Sequence, residues 1–220
     1  MVQPPPVNRA PIAAADKTAS MDEDAINTAL DISAPTDADG DSLTITVTAV
    51  PTGGTLTMAD GTEVTINSTL TISQLTGLVF TPDANLNDDN TTFGTFTYTV
   101  SDGSLSDTGK VTISVTPVND APELPDPNLS IDENHADVVA MGVTDVDGDT
   151  LTYSISGGDD QALFAIDAST GTLSFINRPD YENPGDSDQN NTYLVEVTVS
   201  DPSGLTDTET FTITINDVTT

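Results

Sequence analysis

From residue 12 to residue 116 apolar and polar positions alternate with the two-residue period of half-buried strands. Leu43-Thr44-Ile45-Thr46-Val47-Thr48 is the clearest case, with Leu, Ile and Val on one face and Thr on the other. Phe96–Val100 and Val111–Val115 repeat it, and weaker strands are expected at Thr55–Met58, Val64–Ile66 and Leu78–Phe80. Threonine suits the outer face because it is β-branched yet soluble. Gly53-Gly54, Asp60-Gly61 and Asp102-Gly103 supply turns. No stretch carries helical periodicity, although Leu70 to Leu75 has room for one turn.

Residues 123–218 follow the same plan, with main strands at Leu151–Ile155, Leu173–Ile176, Leu194–Val199 and Phe211–Ile215. Short strands separated by turns, about one hundred residues at a time, predict an all-β chain of two Greek-key, immunoglobulin-like sandwiches. Pro117-Val118-Asn119-Asp120-Ala121-Pro122 separates the halves. A degenerate copy, Pro6-Val7-Asn8-Arg9-Ala10-Pro11, opens the chain, and Asn216-Asp217-Val218 closes the second half. The expected organisation is a leading linker at 1–11, a sandwich at 12–117, a linker at 118–122 and a sandwich at 123–218.

Composition narrows the chemistry. Apolar residues make up 35% of the chain and aromatics 5%, with no Trp, so burial alone gives thin cores. There are 36 acidic residues against four basic ones (Arg9, Lys17, Lys110, Arg178), a formal charge of -32. Such a field repels nucleic acid and anionic lipid and concentrates cations. The absence of Cys removes disulfides and thiolate metal sites. No apolar run is long enough for a membrane span. Residues 1–20 lack an apolar signal core, so Met1 is expected to begin a fragment whose export signal lies elsewhere.

The acids are not scattered. Four motifs recur in the same order in both halves. Asp22-Glu23-Asp24 matches Asp132-Glu133-Asn134, and Asp37-Ala38-Asp39-Gly40-Asp41 matches Asp145-Val146-Asp147-Gly148-Asp149. Pro82-Asp83-Ala84-Asn85 matches Pro179-Asp180-Tyr181-Glu182, and Val100-Ser101-Asp102 matches Val199-Ser200-Asp201. A hard cation such as Ca²⁺ takes six to eight oxygen ligands, and Asp-x-Asp-Gly-Asp offers three carboxylates on one tight turn. An EF-hand is excluded, because Gly stands fourth and the twelfth positions are Thr48 and Ser156. The bland alternative is turn residues plus solubilising charge. For Glu23 and Glu133 it is an exposed acid at a strand edge, and Asn85 reads equally well as a turn residue. His135 reads as a solvated surface residue, and no nucleophile–base pair, phosphate loop or cofactor signature points to an enzyme.

The second half resembles a cadherin repeat. The likeness rests on Asp132-Glu133-Asn134, Asp145–Asp149, Phe164-Ala165-Ile166-Asp167, Thr170-Gly171-Thr172-Leu173, Pro179–Glu182 and Val199-Ser200-Asp201. The first half resembles the cadherin-like repeat of large bacterial surface adhesins of the RTX type, which carry calcium-binding tails. It matches through Asp37–Leu43, Phe80–Asn85, Tyr98–Gly103 and the linker Val118–Pro122.

The resemblance implies how the acids assemble around Ca²⁺. The central junction would draw Glu23, Asp83 and Asn85 from the first domain and Asn119 and Asp120 from the linker. The second domain would add Asp145, Asp147, Asp149 and Asp201. Glu133, Asp180, Glu182 and Asp217 would serve a junction with a following domain. Asp37, Asp39, Asp41 and Asp102 would face a preceding one. Asn85 departs from the family's Glu, the linker is one residue shorter than the usual cadherin form, and Arg9 stands where the central copy has Asp120. The implied function is a non-enzymatic extender segment of a secreted bacterial cell-surface adhesin, monomeric and stiffened by calcium. Its partners would be neighbouring repeats in the same chain. A calcium-dependent binding module, for homophilic adhesion or glycan recognition, is the alternative.

Overall fold

The computed structural model describes residues 7–218, so residues 1–6 of the expected leading linker lie outside the described residues. The chain divides into two compact units between Val118 and Asn119.

In the first unit the strands are β1 (Lys17–Asp22), β2 (Thr28–Ala29), β3 (Thr44–Ala49), β4 (Gly54–Thr57), β5 (Thr69–Leu70), β6 (Val79–Pro82), β7 (Thr95–Ser101) and β8 (Ser106–Thr116). One sheet runs β1-β8-β7-β3-β5 and the other β2-β6-β4. Between them Leu30, Ile45, Leu75, Phe80, Phe96, Tyr98 and Val100 are essentially fully buried. Alternation decides this: β7 buries Phe96, Tyr98 and Val100 and turns the threonines between them outward. Gly109 on β8 lies against the ring of Tyr98, where a Cβ would stand 2.4 Å from it.

The second unit contains β9 (Asn128–Asp132), β10 (Asp137–Ala140), β11 (Thr152–Gly157), β12 (Phe164–Ile166), β13 (Thr172–Phe175), β14 (Thr192–Ser200) and β15 (Thr206–Asn216). Its sheets run β11-β14-β15-β9 and β10-β13-β12. The alternation of β14 sends Tyr193, Val195, Val197 and Val199 into the core. Phe175 meets Tyr193 edge-on at 5.0 Å and Phe164 at 4.3 Å.

One expectation needs correction. Val64–Ile66 is not a strand: Glu63 makes an isolated bridge to Thr57, Val64 is buried, and Ile66 is exposed. The cause is local, since Asn67 adopts φ 71° and turns the chain away from extension. The turn expected between Leu70 and Leu75 is present as the five-residue helix α1 (Ile72–Thr76). Thr71 and Gln74 close a reciprocal capping box at its start.

In each unit the first strand pairs parallel with the last, β1 with β8 and β9 with β15. Asp22 thereby sits opposite Thr116 and Asp132 opposite Asn216. A parallel ladder ends both strands on the same side, so the glutamate after each first strand lies beside the residues that leave the last one.

Candidate metal centres

Each unit carries the same polar structure at its N-terminal end, built on the Asp-x-Asp-Gly-Asp loop before β3 or β11. In the first unit Asp37 Oδ1 accepts the amides of Asp39 (2.8 Å) and Asp41 (3.3 Å). In the second unit Asp145 Oδ1 accepts those of Asp147 (2.9 Å) and Asp149 (3.3 Å). Gly40 and Gly148 both take φ +78°, a left-handed turn that glycine adopts without penalty. Asp37, Asp39 and Asp41 each bring a carboxylate oxygen within 4.8 Å of the others.

The turn between the last two strands supplies a further acid. Asp102 Oδ1 accepts the amides of Ser104 (2.7 Å) and Leu105 (2.6 Å), while Oδ2 accepts the side-chain amide of Asn8 at 2.9 Å. Asp201 repeats this with Gly204 (2.6 Å), Leu205 (2.9 Å) and the side-chain amide of Asn119. The backbone amides of Leu105 and Ser104, then Asn8, hold Asp102 below the usual carboxylate range. For Asp201 the Asn119 side chain has the largest such effect. The residue after each Asn is also held: Arg9 N donates to Asp39 Oδ2 at 2.7 Å, and Asp120 N to Asp147 Oδ2 at 2.8 Å. Asp149 moves the other way. Desolvation, then the charges of Asp145, Asp201 and Asp147, raise its pKa.

The C-terminal ends are built around the two glutamates, both buried rather than exposed at an edge: Glu23 is 3% exposed and Glu133 6%. Glu23 Oε1 accepts the amide of Val118 at 2.7 Å, and Oε2 accepts Asn87 Nδ2 at 3.0 Å. Glu133 Oε1 accepts the amide of Val218 at 3.2 Å, and Oε2 that of Tyr181 at 3.1 Å. Glu133, Glu182 and Asp217 bring carboxylate oxygens within 4.8 Å of one another. Asp180 orders the turn, its Oδ1 accepting the amides of Glu182 (3.1 Å) and Asn183 (3.2 Å).

In the first unit Asp83 and Asn85, expected beside Glu23, lie in a turn whose hydrogen bonds run through their backbone carbonyls. It is closed by Leu86 N to Asp83 O at 3.2 Å, with Asn85 at φ 61° and its carbonyl accepting Asn90 Nδ2. Asn87, buried at 5% exposure, occupies the place beside Glu23. Sequence reading missed it because the Pro82-Asp83 match draws the eye to residues 83–85. The available signal was the polar run Asn87-Asp88-Asp89-Asn90, too dense for ordinary solvation.

The expected linker is likewise part of the folded units. Val118 is held by Glu23, Asn119 and Asp120 by Asp201 and Asp147, and Pro122 is buried. Leu124 N then donates to Asp207 Oδ2 at 2.8 Å, as Ala13 N does to Asp107 Oδ2 at 2.9 Å.

These loops fit a hard cation. Asp37 Oδ2 and Asp145 Oδ2, at equivalent positions, are buried and receive no hydrogen bond. Leaving a carboxylate oxygen dry and unsatisfied is costly, and the loop carboxylates are oxygen ligands of the kind calcium prefers.

Comparison with known proteins agrees with this layout. Residues 8–114 match the family described as Bacterial Ig domain, and residues 127–216 the family described as Cadherin domain. The chain is similar in structure to human Protocadherin-24 EC1-2 (form II), at 21% identity and a TM-score of 0.53, covering 96% of this chain and 100% of that one. The second half is a cadherin-type repeat, the first a bacterial Ig-type repeat, and both have a cadherin-like fold. Human CDH23 EC21-23 is similar to these repeats with the same TM-score at 16% identity, covering 96% of this chain and 70% of that one. No curated protein matches in sequence. At such identities the structural likeness speaks to the fold. Among the described residues no helix of the repeats is long and apolar enough to cross a membrane.

Proposed function

We propose that the chain is a calcium-stiffened extender segment of an extracellular adhesin, with the ion cluster formed where the two repeats adjoin. The observation that carries this reading is the buried Asp145 Oδ2 without a donor, inside a loop that also holds the first linker residues. Covalent continuity adds to it: Val118, held by Glu23, is followed at once by Asn119 and Asp120, held by Asp201 and Asp147. In this reading Glu23, Asn119, Asp120, Asp145, Asp147, Asp149 and Asp201 are the ligands. Asn87 fixes Glu23 in place.

Without metal the acids near this junction repel one another and the linker flexes. With calcium the charge is neutralised and both repeats are tied to a single cluster. Extracellular calcium modules bind at roughly 10⁻⁴–10⁻³ M, so millimolar external calcium fills such sites. Low calcium before export leaves them empty. Glu133, Glu182 and Asp217 would serve a following repeat in the same way, and Asp37, Asp39, Asp41 and Asp102 a preceding one. A bacterial source of the RTX type fits the family matched by the first repeat and belongs to this proposal. The repeats have no catalytic role in this reading, and the only histidine, His135, is exposed.

Calorimetric titration with calcium tests the assignment. Asp145→Asn should weaken binding at the junction by about tenfold or more, since it removes the carboxylate that organises the loop. Unchanged binding in this variant would remove the central ligand and the reading with it.

A further inference from the structure

In the second repeat the loop Gly185-Asp186-Ser187-Asp188-Gln189-Asn190-Asn191 lies outside every position assigned above. It is firmly held. Asp160, 4% exposed, accepts the amide of Ser187 at 2.7 Å through Oδ1 and that of Leu194 at 2.8 Å through Oδ2. The Gly185 amide donates to the Tyr193 hydroxyl at 3.0 Å.

Asp186 is also 4% exposed. Its Oδ2 accepts the amide of Asn190 at 2.7 Å, but its Oδ1 is buried and receives no donor. The Asn191 Oδ1 atom is buried without a donor as well. Beside Asp186 lies a second carboxylate. Desolvation, followed by the Asp186 carboxylate against it, raises the pKa of Asp188. Asp188 Oδ2 accepts a neutral donor, Asn190 Nδ2, at 2.7 Å. Two neighbouring carboxylates that share Asn190 as a donor, one with a buried oxygen left without a partner, are destabilising unless a cation or a proton lies between them. In a chain of charge -32 at neutral pH, the cation is the more available of the two.

We propose that this loop is a separate calcium site within the second repeat, with Asp186 and Asp188 as its carboxylate ligands and loop amide oxygens completing the shell. The site is distinct from the repeat ends but connected to one of them. Asn191 Nδ2 donates to the Tyr181 carbonyl at 3.0 Å, and the Tyr181 amide donates to Glu133 Oε2. An ion in the loop therefore braces the turn that presents Glu133 and Glu182.

The test is an anomalous difference map from crystals of the full chain loaded with terbium in place of calcium, together with an ion count on dialysed protein. The proposal predicts a peak between the Asp186 and Asp188 carboxylates. It also predicts that Asp188→Asn, a nearly isosteric change at an exposed residue, binds one ion fewer per chain. Density for a water at Asp186 Oδ1 with no peak, or an ion count unchanged in Asp188→Asn, overturns it. The outcome is independent of the junction proposal. A peak here without one at Asp145 leaves this site standing and removes the other, and the reverse pattern does the opposite.

Discussion

Glu23 accepts the amide of Val118 at 2.7 Å, so the residue that follows the first strand fixes the residue at which its repeat ends. The second repeat does the same with Glu133 and Val218 at 3.2 Å. In both cases the parallel pairing of first and last strands produces the contact. Each glutamate is thus a structural clamp before any metal is considered.

This predicts that Glu23→Gln destabilises the first repeat even in chelator. Both oxygens of Glu23 accept from donors, and a glutamine would turn an NH₂ group toward one of them. Leaving a buried donor unmet costs about 1–3 kcal/mol. The expected outcome is a melting temperature several degrees lower in a calorimetric scan, with or without calcium. A loss seen only with calcium would mean that Glu23 is a ligand and no clamp.

Gly148→Ala should weaken the second Asp-x-Asp-Gly-Asp loop without any steric clash. Nothing lies within 4 Å of the Cβ position, so the whole cost is the left-handed φ of +78°. That cost is about 1–2 kcal/mol for an L-residue. Calcium affinity measured by titration should fall about tenfold. Gly40→Ala should have the same effect on the stability of the first repeat, read by chemical denaturation.

Gly109→Ala acts differently. Its Cβ would meet the Tyr98 ring at 2.4 Å inside a filled core, and overpacking of this kind costs about 1–3 kcal/mol. The first repeat should melt earlier while the second is unchanged, which a tryptophan introduced into each unit in turn would resolve.

Acid stability has a specific contributor at the β12–β13 turn. Asp167 Oδ1 accepts the Ser169 hydroxyl (2.7 Å) and the amides of Ser169 and Thr170 (2.9 Å each), and its pKa is lowered from 3.8 to about 2. A depressed carboxylate stabilises the fold above its unfolded value, and that benefit is lost as pH falls from about 3.8 through about 2. The stability gap between the wild type and Asp167→Asn should therefore be constant near neutrality and close across that acid window. Denaturant unfolding at a series of pH values reads it directly.

The long strands were legible because β7, β8, β14 and β15 alternate over seven residues or more, and a period of two leaves one face for the core. Lys17–Asp22 was not read as a strand because Ala19 and Met21 make a weak apolar face; its place is set by pairing with β8. Val64–Ile66 failed for the opposite reason, an alternating triplet overruled by the turn at Asn67. The Asp-x-Asp-Gly-Asp loops were readable because their geometry is local. The roles of Asn87 and the Val118 amide were not, because they depend on Glu23, 64 and 95 residues away in the chain.

The central claim is that calcium stiffens the junction, and small-angle X-ray scattering of the whole chain in millimolar calcium and in chelator tests it most directly. The account predicts a narrow, elongated particle in calcium, and in chelator a broader distance distribution with the signature of a flexible hinge. Superimposable curves in the two conditions would contradict it.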